Sequence, residues 1–96
     1  MSGLLELSGK TALITGGAKR LGAITAQALA RSGVNCVLHY RESEAEARQT
    51  AAELESLGVN AWLVQGDLAD PGVSDQVWDA AESHSGGIDF LINSAS

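Results

Sequence analysis

Short, almost uninterrupted runs of apolar residues alternate along this chain with longer segments in which apolar residues recur every three or four positions. These almost uninterrupted runs occupy residues 12–14, 34–38, 61–64 and 90–92, with Asn35 as the one polar residue within them. Runs of this kind are typical of parallel strands buried on both faces, because neither face then needs a polar side chain. The pattern predicts four β-strands separated by three helices.

The helical segments carry recognisable start and stop signals. The first ends at Gly33, in the usual C-terminal capping position. Its periodicity predicts one buried face, made of Leu21, Ile24, Thr25, Ala28 and Leu29. The second opens with a capping box between Ser43 and Glu46. The third is predicted to begin with Asp70 as N-cap and Pro71 as the first helical residue.

Strict alternation of strand and helix predicts an α/β fold with a doubly wound parallel sheet. Right-handed crossovers favour the βαβαβαβ strand order 3-2-1-4, which makes a topological switch point between strands one and four. A ligand crevice is expected there. The fourth strand would form an apolar edge without a partner. We therefore expect residues 1–96 to be one nucleotide-binding portion of a domain that is incomplete on its C-terminal side.

Residues 11–22, TALITGGAKRLG, join the first strand to the first helix through a glycine-rich turn. Glycine lets the backbone turn tightly and approach a ligand closely. The free N–H groups and the positive dipole end of the following helix favour an anion at the same place. The turn is therefore predicted to bind a phosphate ester.

The spacing of the glycines limits the kind of phosphate site. A Walker A loop would need lysine and a hydroxyl residue directly after Gly22, but Ala23 and Ile24 stand there. The GxGxxG dinucleotide fingerprint is also absent, since no two glycines of the turn stand one residue apart before a third.

The turn from Thr15 to Gly22, TGGAKRLG, resembles the TGxxxGxG motif of the short-chain dehydrogenase/reductases, with Arg20 at the position of the middle glycine. A TGxxxRxG variant is similar to the pteridine reductase branch of that family. The resemblance implies a Rossmann-like fold and a nicotinamide dinucleotide cofactor. It places cofactor contacts in this turn at Gly16, Lys19, Arg20, Leu21 and Gly22.

The end of the third strand also matches the family. Asp67 and Leu68 resemble the pair that contacts the adenine ring, where the aspartate accepts a hydrogen bond from the exocyclic amine. The residues themselves leave a second interpretation open, because an aspartate at this point also forms turns.

The end of the fourth strand, NSAS, is similar to the family's Asn-Asn-Ala-Gly. Asn93 matches the first asparagine, and Ser94 replaces the second. Ala95 matches a residue whose backbone lies along the cofactor. Ser96 replaces the glycine, and in the pteridine reductase branch that serine adjoins cofactor and substrate.

Cofactor preference is predicted from the residues after the second strand. An NADP enzyme needs positive charge and hydrogen-bond donors for the 2′-phosphate. Arg41 supplies a guanidinium, Lys19 approaches from the glycine turn, and Ser43 supplies a hydroxyl. These residues favour NADP.

Glu42 keeps NAD open as the less favoured cofactor. It stands about 20 residues beyond the glycine turn, the interval at which an acid that binds the ribose hydroxyls is sought. In the pteridine reductase pattern HYHRS, Glu42 falls on the arginine and Arg41 on the second histidine.

Composition narrows the remaining possibilities. The chain has 96 residues, 45% hydrophobic and 19% charged, with a net charge of −6. These values are typical of one soluble domain, and no segment has the pattern of a signal peptide or membrane span, so a cytoplasmic protein is expected. The negative charge argues against nucleic acid and membrane as partners. The single cysteine, Cys36, is predicted to be a core residue.

No catalytic residue is predicted within these 96 residues, and no metal site. The family's chemistry needs a tyrosine with a lysine four residues later, but the only tyrosine is Tyr40, and Glu44 stands at that distance. His39 and His84 have no acid or nucleophile at motif spacing, and are interpreted as a strand-end and a helix-end residue.

The resemblance implies an NADP(H)-dependent oxidoreductase that transfers hydride to a carbonyl or pterin-like small molecule. It also implies a homo-oligomer, dimer or tetramer, for the full-length protein. Two alternatives remain open. One is a reductase of 3-oxoacyl thioesters or small ketones with the same fold, and the other is a non-catalytic dinucleotide-sensing protein.

Overall fold

A computed structural model describes residues 7–94 and contains four strands and three helices in alternation. The elements are β1 Thr11–Thr15, α1 Arg20–Arg31, β2 Asn35–Tyr40, α2 Glu44–Ser56, β3 Ala61–Gln65, α3 Val73–Ser85 and β4 Phe90–Asn93. All three strand pairings are parallel, in the order β3-β2-β1-β4. The predicted fold class and strand order are confirmed. Among the described residues, no helix has the length and apolar character needed to cross a membrane.

The sheet is covered on both faces, which explains its uninterrupted apolar strands. Ala12 and Ile14 of β1 belong to a core on the side of α1 and α2. Leu13, between them, packs with Val77 of α3 on the opposite side.

Cys36 is fully buried, as predicted. Burial raises the pKa of its thiol to about 11, so the thiolate needed for reactivity is scarce at neutral pH.

The predicted buried face of α1 is wrong for most of its residues, although Leu29 packs against the core. Leu21 is 71% exposed and Ile24 is 52% exposed. The residues that face the core are instead Gly22, Ala26 and Ala30. A Cβ on Gly22 would collide with the carbonyl oxygen of Gly16, so this position must face the turn with no side chain. That packing fixes the rotation of the helix and buries its small residues.

Two predicted helix starts also need correction. Ser43 precedes α2, but its side chain makes no capping hydrogen bond, and its ψ of 60° departs from the extended backbone that capping requires. Helix α3 begins at Val73 rather than at Pro71. The N–H of Val73 donates to the Asp70 carbonyl at 3.2 Å, and Gly72 has a left-handed φ of 82°. Residues 70–73 therefore form a separate turn before the helix.

Strand β4 lies at one edge of the sheet, where it pairs with β1 alone among the described strands. Its central residue, Leu91, is 57% exposed. The expectation of an apolar edge strand is thus confirmed within residues 7–94. Such an edge offers unpaired backbone groups and an apolar side chain to any segment able to add to the sheet.

Candidate nucleotide-binding site

A cleft of about 340 Å³ opens at the carboxyl ends of β1, β2 and β3, beside the start of α1. Parallel strands collect their C-terminal loops at one edge, which is where α/β sheets bind ligands. Six residues predicted to bind cofactor line it: Gly16, Lys19, Arg41, Ser43, Asp67 and Leu68. The structure thus brings together the turn after β1 and the ends of β2 and β3.

A second cleft, of about 350 Å³, lies on the α3 side of the sheet, next to β1 and β4. Asn93 and Thr15 line it together with the apolar side chains of Leu91 and Trp78. Leu68 lines both clefts, so the two are adjacent. The crevice predicted between β1 and β4 corresponds to this second cleft, while the basic residues Lys19 and Arg41 line the first.

The glycine turn is a close-packed backbone cradle. Gly16 has a left-handed φ of 69°, and the N–H of Lys19 donates to its carbonyl at 3.0 Å. A Cβ on Gly17 would lie 2.9 Å from the Leu38 side chain. Helix α1 then begins at Arg20, and the N–H of Ala23 donates to the Lys19 carbonyl at 2.8 Å, so the N–H groups of residues 20–22 precede the helical hydrogen bonds. This turn fits the phosphate groups of a nucleotide.

The other predicted residues of the turn stand apart from the first cleft. Arg20 and Leu21 open α1 with exposed side chains, and Gly22 is buried against the turn. Within residues 7–94, these three are not among those that line either cleft described above. Their contacts with a cofactor stay predictions.

His39 is the residue of the site that the sequence interpretation missed. Its side chain is buried, and Nδ1 accepts a hydrogen bond from the N–H of Gly16 at 3.2 Å. Nε2 lies 2.7 Å from the carbonyl oxygen of Gly66. The backbone carbonyl of His39 accepts from Gly17 N–H at 2.9 Å. The available signal was a single imidazole within an otherwise apolar strand, directly beside the glycine turn.

Arg41 carries the charge at the mouth of the first cleft. Its guanidinium lies 3.5 Å from Glu42 Oε1 and 4.0 Å from Asp67 Oδ2. Its backbone is tied to β3, because the Gln65 side chain donates to the Arg41 carbonyl at 3.1 Å. The Arg41 side chain is 60% exposed, so these pairs contribute little to stability. A phosphate would bind the side chain of an arginine whose backbone is already fixed by this hydrogen bond.

Asp67 forms a turn, as one interpretation of the sequence predicted. Its Oδ1 accepts from the N–H of Ala69 at 3.0 Å, while Oδ2 faces Arg41. The carboxylate also lines the first cleft. Its contact with an adenine amine stays a prediction.

The end of β4 is joined to β1 by side-chain hydrogen bonds. The Thr15 hydroxyl donates to Asn93 Oδ1 at 2.8 Å, and the Ser94 hydroxyl donates to the Thr15 carbonyl at 2.6 Å. Asn93 therefore lies at the sheet edge where the resemblance places it. The predicted contacts of Ala95 and Ser96 fall outside the described residues.

The chemistry of this site is binding and orientation. Backbone N–H groups, Lys19 and Arg41 suit the phosphates of a dinucleotide. Gly17 and Gly22 allow the turn to pack closely against β2 and the start of α1. In the described part of the chain, no three His, Cys, Asp or Glu side chains come together as a metal site. The residues present fit the predicted cofactor.

Comparison with known proteins gives consistent matches. Residues 10–96 match the model of the short chain dehydrogenase family. A 3beta-hydroxysteroid dehydrogenase 1 of Eggerthella lenta is 39% identical over 90 residues, which cover 94% of this chain and 34% of that protein.

Solved structures agree. A short chain dehydrogenase of Burkholderia cenocepacia in complex with NADP is similar with a TM-score of 0.89 at 37% identity, covering 95% of this chain and 37% of that one. FolM alternative dihydrofolate reductase 1 of Brucella canis, complexed with NADP, gives a TM-score of 0.83 at 33% identity, covering 95% and 36%. The chain spans about a third of the length of these relatives.

Proposed function

This chain belongs to the short chain dehydrogenase family, and we propose that it is the cofactor-binding portion of an NADP(H)-dependent oxidoreductase. The observation that carries the proposal is the first cleft, where a glycine turn, a helix N-terminus and two cations converge. When bound, the nicotinamide supplies a hydride. The residues of this chain bind and orient the adenosine and phosphate end.

Preference for NADP over NAD is supported by three side chains. Arg41 and Ser43 line the cleft from the loop after β2, and Lys19 lines it from the glycine turn. The Ser43 hydroxyl is not used to cap α2. A 2′-phosphate suits such a set of donors, and a guanidinium binds phosphate strongly. The Burkholderia and Brucella proteins hold NADP. Glu42, in the same cleft, is the residue that would favour NAD.

We propose a carbonyl or pterin-like small molecule as substrate. Arg20 in the glycine turn and the likeness to an alternative dihydrofolate reductase support the pterin-like option. The likeness to a hydroxysteroid dehydrogenase supports a carbonyl substrate of the wider family. The catalytic tyrosine and lysine of that family would come from residues other than these 96. A homo-oligomer in the cytoplasm completes the proposal.

The test is hydride transfer by the intact protein. We expect the absorbance of NADPH to fall when the protein is mixed with NADPH and at least one member of a panel of pterins, 3-oxoacyl thioesters and small ketones. Reduction of pterins alone would support the pterin-like branch. Tight NADPH binding with no turnover of any panel member would favour the dinucleotide-sensing alternative and contradict the enzyme.

A further inference from the structure

We propose that His39 is a positioning residue for the cofactor. Its neutral ring, protonated on Nε2, holds the glycine turn and the end of β3 at a fixed spacing. The proposal rests on the dinucleotide-binding function given above. It adds a role for a buried side chain that joins two loops of the first cleft.

The hydrogen bonds determine which ring nitrogen carries the proton. The backbone N–H of Gly16 is a donor only, so Nδ1 of His39, 3.2 Å away, must be an acceptor. The carbonyl oxygen of Gly66 is an acceptor only, so Nε2, at 2.7 Å, must carry the hydrogen. One tautomer satisfies both contacts. The other tautomer, and the doubly protonated ring, would place an N–H against the N–H of Gly16.

The position of His39 in the sheet lets its ring contact the loops after both neighbouring strands. Strand β2 lies between β1 and β3, so a side chain at its end reaches both neighbouring loops. On one side the ring accepts a hydrogen bond from the Gly16 N–H, and the backbone carbonyl of His39 accepts one from the Gly17 N–H. On the other it holds Gly66, which directly precedes Asp67. The phosphate side and the adenosine side of the cleft are therefore joined through one residue.

Burial makes the connection stiff. His39 is 4% exposed, so its two hydrogen bonds are largely shielded from water. The N–H of Gly66 also donates to the Tyr40 carbonyl at 3.0 Å, which leaves the ring of His39 as the side-chain link between two loops already anchored to β2. Loss of the Gly16 contact would free the left-handed residue of the cradle, whereas loss of the Gly66 contact would free the loop that carries Asp67.

Two substitutions separate these contacts. In His39→Asn the amide oxygen takes the place of Nδ1 and keeps the Gly16 contact, but it cannot reach Gly66. In His39→Gln the amide nitrogen takes the place of Nε2 and keeps the Gly66 contact alone. His39→Leu removes both, and His84→Asn, on the exposed end of α3, is the matched control.

Each variant of the intact protein is titrated with NADPH and with NADH by fluorescence, and its thermal unfolding is measured. Because the glycine turn holds the phosphates, we expect His39→Asn, which keeps the Gly16 contact, to bind within about threefold of wild type. His39→Gln and His39→Leu, which release the turn, should bind about tenfold more weakly. The loss is expected to be equal for the two cofactors, because they share the phosphates held by the turn. The Asn and Gln variants should unfold at similar temperatures, and the control should match wild type.

The tautomer is read directly from long-range ¹⁵N–¹H NMR of the wild-type ring, where protonated Nε2 and unprotonated Nδ1 are expected. A proton on Nδ1 would overturn the proposal even if no variant folds. Equal binding by the Asn and Gln variants, or affinities that only follow unfolding temperature, would also overturn it. A wild-type protein that binds neither cofactor would instead refute the proposed function.

Discussion

At the scale of single residues, the first cleft balances positive and negative charge. Arg41 stands between two carboxylates, Glu42 at 3.5 Å and Asp67 at 4.0 Å. In the absence of a phosphate these acids are its partners. We therefore expect a 2′-phosphate to compete with Glu42 for the same guanidinium, so that Glu42 weakens NADPH binding.

This competition predicts the effect of Glu42→Gln. Removing the acid frees Arg41, so the dissociation constant for NADPH should fall by about two- to fivefold, the range of an exposed ion pair. NADH affinity should change little. Glu44→Gln is the matched control, because it removes the same charge two residues later but pairs with Arg48, 2.7 Å away on α2. A selective loss of NADH affinity in Glu42→Gln would show that Glu42 binds the ribose hydroxyls.

At the scale of elements, the strands were predictable, and the buried face of α1 was not. Burial on both faces leaves a direct mark on the sequence, as the apolar run of β2 shows. The rotation of α1 depends on Gly22 packing against the Gly16 carbonyl, a contact that periodicity does not record. The start of α3 likewise depends on the left-handed backbone of Gly72.

The residues of the candidate site that follow strand ends were predictable from the sequence, and those that act through hydrogen bonds across the fold were not. Six predicted cofactor-binding residues meet in the first cleft because each follows a parallel strand or the glycine turn. His39 was missed because its role consists of hydrogen bonds to the backbone of Gly16 and Gly66, and these depend on the three-dimensional fold.

The packing of Gly22 predicts that Gly22→Ala is strongly damaging. Its Cβ would meet the Gly16 carbonyl oxygen and would lie 2.8 Å from Gly17 Cα, and backbone atoms cannot rotate away. We expect a loss of about 1–3 kcal/mol in the free energy of unfolding, together with weaker cofactor binding. Ala28→Ser adds one heavy atom to the exposed side of the same helix and should cost less than about 1 kcal/mol. Equal unfolding free energies for the two variants would contradict this packing.

At the scale of the whole molecule, the β4 edge of the sheet exposes an apolar side chain within residues 7–94. Leu91 is 57% exposed on β4, and it lines the second cleft with Trp78. An uncovered apolar edge strand is an aggregation site. The family's longer members contain about three times the length of this chain, so we propose that further chain covers this side.

Residues 1–96 expressed on their own should therefore self-associate and should not oxidise NADPH with any carbonyl. Sedimentation velocity is expected to show species larger than a monomer, and Leu91→Lys should reduce them. As a control, Leu57→Lys changes another exposed leucine, just beyond α2 and away from β4, and should leave the association unchanged. A monomer that melts cooperatively would contradict the prediction.

The central claim is that the first cleft binds the 2′-phosphate of NADPH through Arg41. Paired titrations of the intact protein test this claim most directly. NADPH and NADH are each titrated into wild type and Arg41→Ala. Wild type is predicted to bind NADPH more tightly. Loss of a charge-assisted contact worth about 1.5–3 kcal/mol should weaken NADPH binding by roughly ten- to a hundredfold and leave NADH nearly unchanged. Tighter binding of NADH by wild type, or an equal loss for both cofactors in Arg41→Ala, would contradict the account.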